Sequence, residues 1–121
     1  MTLLDGKRIL VVEDEPIVAM MLEDMLADMG CVVVGPAARV AEAVALAEAE
    51  AIDAAILDVN IKGGCSYPVA DRLRRRGIPY LFATGYGLEG RAAEHAEVPV
   101  LQKPYQEGTA QDALRRLLAP A

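Results

Sequence analysis

The stretch Ala51-Ile52-Asp53-Ala54-Ala55-Ile56-Leu57-Asp58 is a largely apolar run that ends on a carboxylate. Such a continuous run is typical of a central strand in a parallel sheet, because helices cover both faces of that strand. Asp58 then lies at the carboxyl end of the strand, which is the edge where open α/β sheets bind ligands. The stretch therefore predicts a buried strand that presents Asp58 to a binding site.

Segments with strand and helix character alternate on both sides of this stretch. The predicted strands are 7–12, 31–34, 51–58, 78–83 and 98–101, and the predicted helices are 16–29, 38–50, 66–76 and 106–119. A further segment, 88–97, is charged and interrupted by glycine, so only a short or irregular helix is expected there. Five strands that alternate with helices favour one parallel sheet with right-handed crossovers and helices on both faces.

The first predicted helix begins at Pro16 and carries apolar residues at helical spacing, so this stripe is expected to pack in the core. The stripe consists of Ile17, Val18, Met21, Leu22, Met25, Leu26 and Met29. Gly35-Pro36 is expected to close the second strand. Gly63-Gly64 is expected to belong to a loop that follows the third strand.

Composition limits the classes of function. The 121 residues, with 54% hydrophobic content, fit one ordinary domain, so 1–121 is expected to be a single domain without a second one. A net charge of −6 argues against a nucleic-acid partner. The basic residues that do cluster are expected to interact with the carboxyl end of a helix; they are Arg72, Arg74, Arg75 and Arg76.

The chain also lacks the marks of a membrane or secreted protein. No apolar run approaches the roughly 20 residues of a membrane helix, and the amino terminus lacks the basic and apolar pattern of a secretory signal. Only two cysteines are present. A cytoplasmic location without a membrane partner is expected.

Polar side chains follow four of the predicted strands. They are Glu13 and Asp14, Asp58, Thr84, and Lys103. In a doubly wound sheet all of them lie at the same carboxyl edge. Three carboxylates about 5 Å apart repel by roughly 3 kcal/mol per pair at an effective dielectric of about 20. A divalent cation removes this repulsion, and oxygen ligands suit Mg²⁺ better than zinc.

A carboxylate beside such a cation can act as a nucleophile. An oxygen of Asp58 can attack an electrophilic phosphorus while the cation bridges the nucleophile and the phosphoryl oxygens. Lys103 can supply a positive charge to the remaining oxygens, and the Thr84 hydroxyl can donate a hydrogen bond. The pattern indicates phosphoryl transfer to Asp58.

In their order and spacing, these residues resemble the receiver domains of bacterial two-component response regulators over essentially the whole chain. The resemblance implies a flavodoxin-like fold with strand order 2-1-3-4-5. It also implies that Asp58 accepts a phosphoryl group from the phosphohistidine of a histidine kinase or a histidine phosphotransfer protein. Asp14 and Asp58 would ligate Mg²⁺ together with the main-chain carbonyl of Asn60, and Glu13 would act through a water on the metal.

The same resemblance implies a switch rather than a turnover enzyme. Thr84 and Lys103 would move to contact the phosphoryl group, and the changed surface would bind a downstream protein. Receivers usually have an aromatic residue three positions before the lysine, and Val100 stands there in this chain. The run Phe82-Ala83-Thr84-Gly85-Tyr86 is similar to that of a subgroup of stand-alone receivers, in which the tyrosine takes over the switching role. Tyr86 would have that role here.

Two alternatives remain open on the sequence. The first is a receiver-like adaptor whose partner binding ignores phosphorylation. The second is an aspartyl-phosphate phosphohydrolase, although such enzymes usually place a second aspartate two residues after the nucleophile, where this chain has Asn60.

Overall fold

The computed structural model describes residues 4–61, 64–84, 99–102 and 107–118. At positions 60, 84, 102 and 107 it describes only the backbone. In chain order the elements are β1 (Arg8–Val12), α1 (Pro16–Asp28), β2 (Val32–Ala37), α2 (Val40–Ala49), β3 (Ala54–Asp58), β4 (Asn60–Ile61), β5 (Gly64–Cys65), α3 (Tyr67–Arg75), β6 (Tyr80–Thr84), β7 (Val100–Gln102) and α4 (Glu107–Leu118). Five parallel strands form one sheet in the order β2-β1-β3-β6-β7. Apart from the small hairpin of β4 and β5, this is the predicted order, so the predicted flavodoxin-like fold is confirmed.

Strand β3 lies at the centre of the sheet, as its apolar sequence predicts. All five of its residues are buried, and it pairs with β1 on one side and β6 on the other. The strand begins at Ala54 rather than at 51, because Asp53 is a polar partner of β1: its Oδ2 accepts a hydrogen bond of 2.8 Å from the Arg8 backbone N–H. Asp58 is the last residue of the strand.

Two apolar layers hold the helices on the sheet. The residues of β3 alternate between them, with Leu57 in the layer that α2 and α3 cover and Ile56 in the layer that α1 and α4 cover. Phe82 of β6 belongs to the first layer and is fully buried. No helix in the described part of the chain is long and apolar enough to cross a membrane.

Helix α1 does not bury its whole apolar stripe. Leu22 and Leu26 are buried, whereas Ile17 is 74% exposed and Met21 is 43% exposed. The prediction that the stripe packs in the core is therefore wrong for Ile17 and Met21. At about 100° per residue, Ile17 lies roughly 180° around the helix from Leu26, so both cannot face the sheet.

Strand β2 continues beyond the point where Gly35-Pro36 was expected to close it. Val34 pairs with Leu10 and Ala37 pairs with Val12, so between these pairs β2 has two residues, Gly35 and Pro36, where β1 has only Val11. This extra residue is a β-bulge. Gly35 lies inside it at φ +99°, in the left-handed region. Because of the bulge, the pairing of β2 with β1 resumes at Ala37, after the glycine and the proline.

We expect Gly35→Ala to destabilise the fold by at least about 2 kcal/mol, because a side chain at positive φ is strained and has no room here. A Cβ at this position would lie 2.9 Å from the Ala37 backbone nitrogen and 3.0 Å from the Val11 carbonyl oxygen. Gly77→Ala is the matched control, since Gly77 has φ +72° and no neighbour within 4 Å of a Cβ. Urea unfolding should show a clearly smaller loss for the control, and equal losses would mean that the bulge simply rearranges around the methyl group.

The segment after β3 forms a hairpin rather than the expected loop. Asn60 pairs with Cys65 and Ile61 pairs with Gly64 in an antiparallel arrangement. The Ser66 backbone N–H donates a hydrogen bond of 2.8 Å to the Val59 carbonyl, which closes the hairpin immediately before α3. The start of α3 is therefore tied to the residue that follows Asp58.

The arginine cluster lies at the end of α3 and also reaches neighbouring elements. Nη1 of Arg76 donates to the carbonyl oxygens of Ala47 at 2.6 Å and Glu50 at 2.9 Å, at the carboxyl end of α2. Nε of Arg72 lies 2.6 Å from Oε1 of Glu48 on the same helix. The Arg76 guanidinium thus binds the last carbonyl oxygens of α2, and the two arginines together link α2 to α3.

The two cysteines are free thiols. Cys31 is buried, and its Sγ donates to the Leu4 carbonyl oxygen at 3.5 Å. Burial, and to a smaller extent the charge of Asp5, raises the pKa of the Cys31 thiol. The thiol is therefore a weak nucleophile at neutral pH.

Candidate functional site

Three carboxylates meet at the carboxyl edge of the sheet. Asp58 ends β3, and Glu13 and Asp14 directly follow β1, the neighbouring strand. Because Val12 pairs with Leu57, the next residues, Glu13 and Asp58, are also brought side by side. One oxygen from each of the three carboxylates lies within 4.8 Å of the others. The predicted convergence of these three residues is therefore present in the structure.

Much of this cluster is withdrawn from solvent. Glu13 is 2% exposed and Asp58 is 8% exposed, while Asp14 is half-buried. The Glu13 backbone N–H donates to the Ala37 carbonyl at 2.9 Å, which continues the pairing of β1 and β2 beyond the strand end. Oε2 of Glu13 accepts a hydrogen bond of 3.3 Å from the Glu15 backbone N–H at the start of α1. The backbone thus fixes where the buried carboxylate lies.

The donor set fits a small, hard divalent cation. At 4.8 Å and an effective dielectric of about 20, each pair of ionised carboxylates repels by roughly 3 kcal/mol. Oxygen ligands at the end of a rigid strand are those that Mg²⁺ prefers, and zinc sites would use cysteine or histidine. In the described ranges of the chain, this is the only cluster of three or more carboxylate, imidazole or thiolate groups.

The structure describes only part of the remaining predicted site. Asn60 lies in β4, two residues after Asp58, and Thr84 is the last residue of β6. Asp58 pairs with Ala83, so the backbone of Thr84 is one residue beyond the position opposite Asp58. Lys103 and Tyr86 lie outside the described residues, as does the segment 88–97. The roles of these residues stay predictions.

Tyr67 was not singled out by sequence reasoning, although it begins the helix that follows the hairpin after Asp58. It is the first residue of α3, and its ring packs edge-on against Phe82 of β6, with ring centroids 5.5 Å apart. Val100, which replaces the usual aromatic residue, pairs with Phe82 from β7. Ser66 could have indicated in the sequence where α3 starts. The contact between the Tyr67 and Phe82 rings has no sequence signature, because it joins distant segments.

Comparison with known proteins agrees with this arrangement. Residues 9–115 match the family model described as "Response regulator receiver domain". The chain is 35% identical over 102 residues to the phyllosphere-induced regulator PhyR of Methylorubrum extorquens. This alignment covers 81% of the chain and 38% of PhyR.

Solved structures resemble the whole described fold. The solution structure of SdrG from Sphingomonas melonis Fr1 is 47% identical, with a TM-score of 0.83, and covers 98% of this chain and 100% of SdrG. SdrG from Pseudomonas melonis Fr1, in a BeF3-activated conformation, is 46% identical with a TM-score of 0.80 and covers 95% and 98% of the two chains. The receiver domain of sensor histidine kinase PA1611 from Pseudomonas aeruginosa PAO1 is 28% identical, with a TM-score of 0.84, and the match covers 95% of this chain and 99% of that receiver. The PA1611 structure has a magnesium ion coordinated in its active-site cleft.

Proposed function

The chain belongs to the response regulator receiver domain family, and from that premise we propose that it is a phosphorylatable signalling switch whose acceptor is Asp58. The observation that carries this proposal is the cluster of three carboxylates at the sheet edge. Asp58 ends the central strand, so a rigid element positions its side chain. The two neighbouring carboxylates follow β1, so Asp58 is the one member of the cluster that β3 contributes.

The chemical step is an in-line displacement at phosphorus. An oxygen of Asp58 forms a bond to the phosphorus of a phosphohistidine on the donor protein, and the phosphorus–nitrogen bond breaks. The electron pair of that bond returns to the imidazole nitrogen, which takes up a proton. Asp58 thereby becomes an acyl phosphate, which water hydrolyses when the signal ends. We infer one modification cycle per signal rather than the turnover of a small substrate.

The acidic cluster would hold Mg²⁺ through Asp14, Asp58 and the main-chain carbonyl of Asn60, with Glu13 acting through water. Bound Mg²⁺ supplies positive charge that offsets the carboxylates and the phosphoryl oxygens. Glu13 and Asp58 are both largely shielded from solvent, so water screens the repulsion between the carboxylates less than it would at an exposed site. The magnesium in the cleft of the PA1611 receiver supports this assignment.

The response to phosphorylation is proposed to run through the ends of β6 and β7. Thr84 and Lys103 would contact the phosphoryl group, and Tyr86 would take the switching role that an aromatic residue at position 100 has in other receivers. Phosphorylation adds about −1.5 to −2 charges, which is enough to bias such a two-state arrangement. The likeness to SdrG, which has a BeF3-activated conformation, supports a conformational response of this kind.

The proposed partners are proteins. The donor is a histidine kinase or a histidine phosphotransfer protein, and the signal leaves through phosphorylation-dependent binding of a downstream protein in the cytoplasm. Equal partner binding by beryllofluoride-treated and untreated protein would favour the adaptor alternative instead.

Phosphorylation of the purified protein tests the function directly. Incubation with acetyl phosphate and Mg²⁺ should increase the intact mass by one phosphoryl group, and hydroxylamine should remove that group because it is an acyl phosphate. Replacing Mg²⁺ with a chelator should suppress the reaction. A mass that stays unchanged with acetyl phosphate, phosphoramidate and a phosphohistidine protein would contradict the proposal.

A further inference from the structure

The hairpin after Asp58 is connected to α3 by a short and well-defined path. The Val59 N–H donates to the Ala83 carbonyl at 3.3 Å, and the Val59 carbonyl accepts the Ser66 N–H at 2.8 Å. Tyr67 follows Ser66 directly and begins α3. A displacement of the hairpin is therefore passed to the backbone of Tyr67.

The Tyr67 ring continues this path into the sheet. Its plane is inclined at 68° to that of Phe82, and the ring centroids are 5.5 Å apart, which is a favourable edge-to-face geometry. Phe82 is fully buried and lies between Leu57 of β3 and Val100 of β7. It is two residues before Thr84, the last residue of β6. The ring contact thus joins the hairpin to the strand that ends at Thr84.

The other end of α3 also contacts an aromatic residue of β6. Nη2 of Arg74 donates a hydrogen bond of 3.0 Å to the Tyr80 hydroxyl, and the Tyr80 ring packs edge-on against Phe82 with centroids 5.8 Å apart. The three rings form one row on the α3 side of the sheet. Helix α3 therefore contacts the aromatic residues of β6 near both of its ends.

We propose that Tyr67 is a positioning residue that couples the hairpin after Asp58 to β6 and thereby to the end of the strand at Thr84. The proposal rests on the proposed function, because it needs a change at Asp58 to transmit. Val100 of β7 lies opposite Phe82 in the sheet, and Tyr67 supplies an aromatic contact to Phe82 from the α3 side. Tyr67 acts through Phe82 and need not touch the phosphoryl group.

Beryllofluoride, used with Mg²⁺ as a phosphoryl mimic, tests this coupling by amide NMR. In the wild type we expect shift changes both at Val59 and Asn60 and at Thr84 and Val100. Tyr67→Leu, which keeps apolar volume and removes the ring, should retain the changes in the hairpin and reduce those at Thr84 and Val100 by on the order of threefold or more. Tyr67→Phe keeps the ring and should respond like the wild type.

A purely structural role would alter the treated and untreated spectra alike and leave their difference unchanged. A wild-type response at Thr84 and Val100 in Tyr67→Leu would therefore overturn the coupling. If that variant does not fold, the wild-type protein itself decides: the ring resonances of Tyr67 and Phe82 should shift on addition of beryllofluoride, and unchanged ring resonances alongside shifted hairpin amides would also overturn it. A wild type with no response anywhere would instead contradict the proposed function.

Discussion

Asp58→Ala should abolish phosphorylation by acetyl phosphate, with the rate falling by at least about 100-fold, to the limit of detection. Asp58 is the only one of the three clustered carboxylates that ends the central strand. Glu13 is more deeply buried, at 2% exposure, and one of its oxygens accepts a backbone hydrogen bond from Glu15. Glu13 should therefore not replace Asp58 as the acceptor, and Asp14 follows β1 instead of ending the central strand. Intact mass and the rate of phosphoprotein formation would measure the loss.

The control for this variant is Asp24→Ala, which removes an exposed carboxylate from α1. It should be phosphorylated at the wild-type rate. Circular dichroism and thermal unfolding should show that Asp58→Ala remains folded, since removing one member of a repelling cluster relieves electrostatic strain. Phosphorylation of Asp58→Ala at a rate near that of the wild type would place the acceptor elsewhere and refute the assignment.

Asp14→Asn should separate metal binding from the fold. The substitution keeps the shape of the side chain but removes one of the three charges that would face Mg²⁺, so we expect the Mg²⁺ dissociation constant to rise by on the order of 100-fold. At a Mg²⁺ concentration of ten times the wild-type dissociation constant, linkage predicts a stabilisation of about 1.4 kcal/mol for the wild type and about 0.1 kcal/mol for the variant. Urea unfolding across a magnesium titration would measure both values.

The control for Asp14→Asn is Asp24→Asn, which makes the same charge change at an exposed residue of α1. It should retain the full stabilisation by Mg²⁺. In the absence of divalent cations the ranking of stabilities should reverse, because Asp14→Asn relieves repulsion that the wild type retains. A wild-type magnesium dependence in Asp14→Asn would show that Asp14 is not a ligand.

The sequence was sufficient for the features that depend on strand ends. A run of apolar residues identifies β3 because burial on both faces requires it, and the carboxyl edge follows from the parallel order of the strands. The convergence of Asp58, Glu13 and Asp14 therefore follows from the sequence alone. The expectation of Mg²⁺ likewise rests on the oxygen donors that these residues supply.

Other features depended on packing that a sequence pattern does not record. The apolar stripe of α1 extends about halfway around the helix, and only the sheet decides that Leu22 is buried while Ile17 is exposed. The hairpin of β4 and β5 has two residues in each strand, which is too short for a recognisable alternation. The contact between Tyr67 and Phe82 joins residues 15 positions apart through side-chain geometry alone.

The bulge in β2 also bears on how molecules of this protein behave toward one another. Strand β2 forms one border of the five-stranded sheet, and a border strand offers free backbone groups on which a strand of a second molecule could be added. Pro36 brings no N–H group to that border, and the extra residue beside it interrupts the regular spacing of donors and acceptors. A second chain can match this border for only a few residues. The irregularity that lets β2 pass its glycine and proline therefore also protects the concentrated protein against edge-to-edge aggregation.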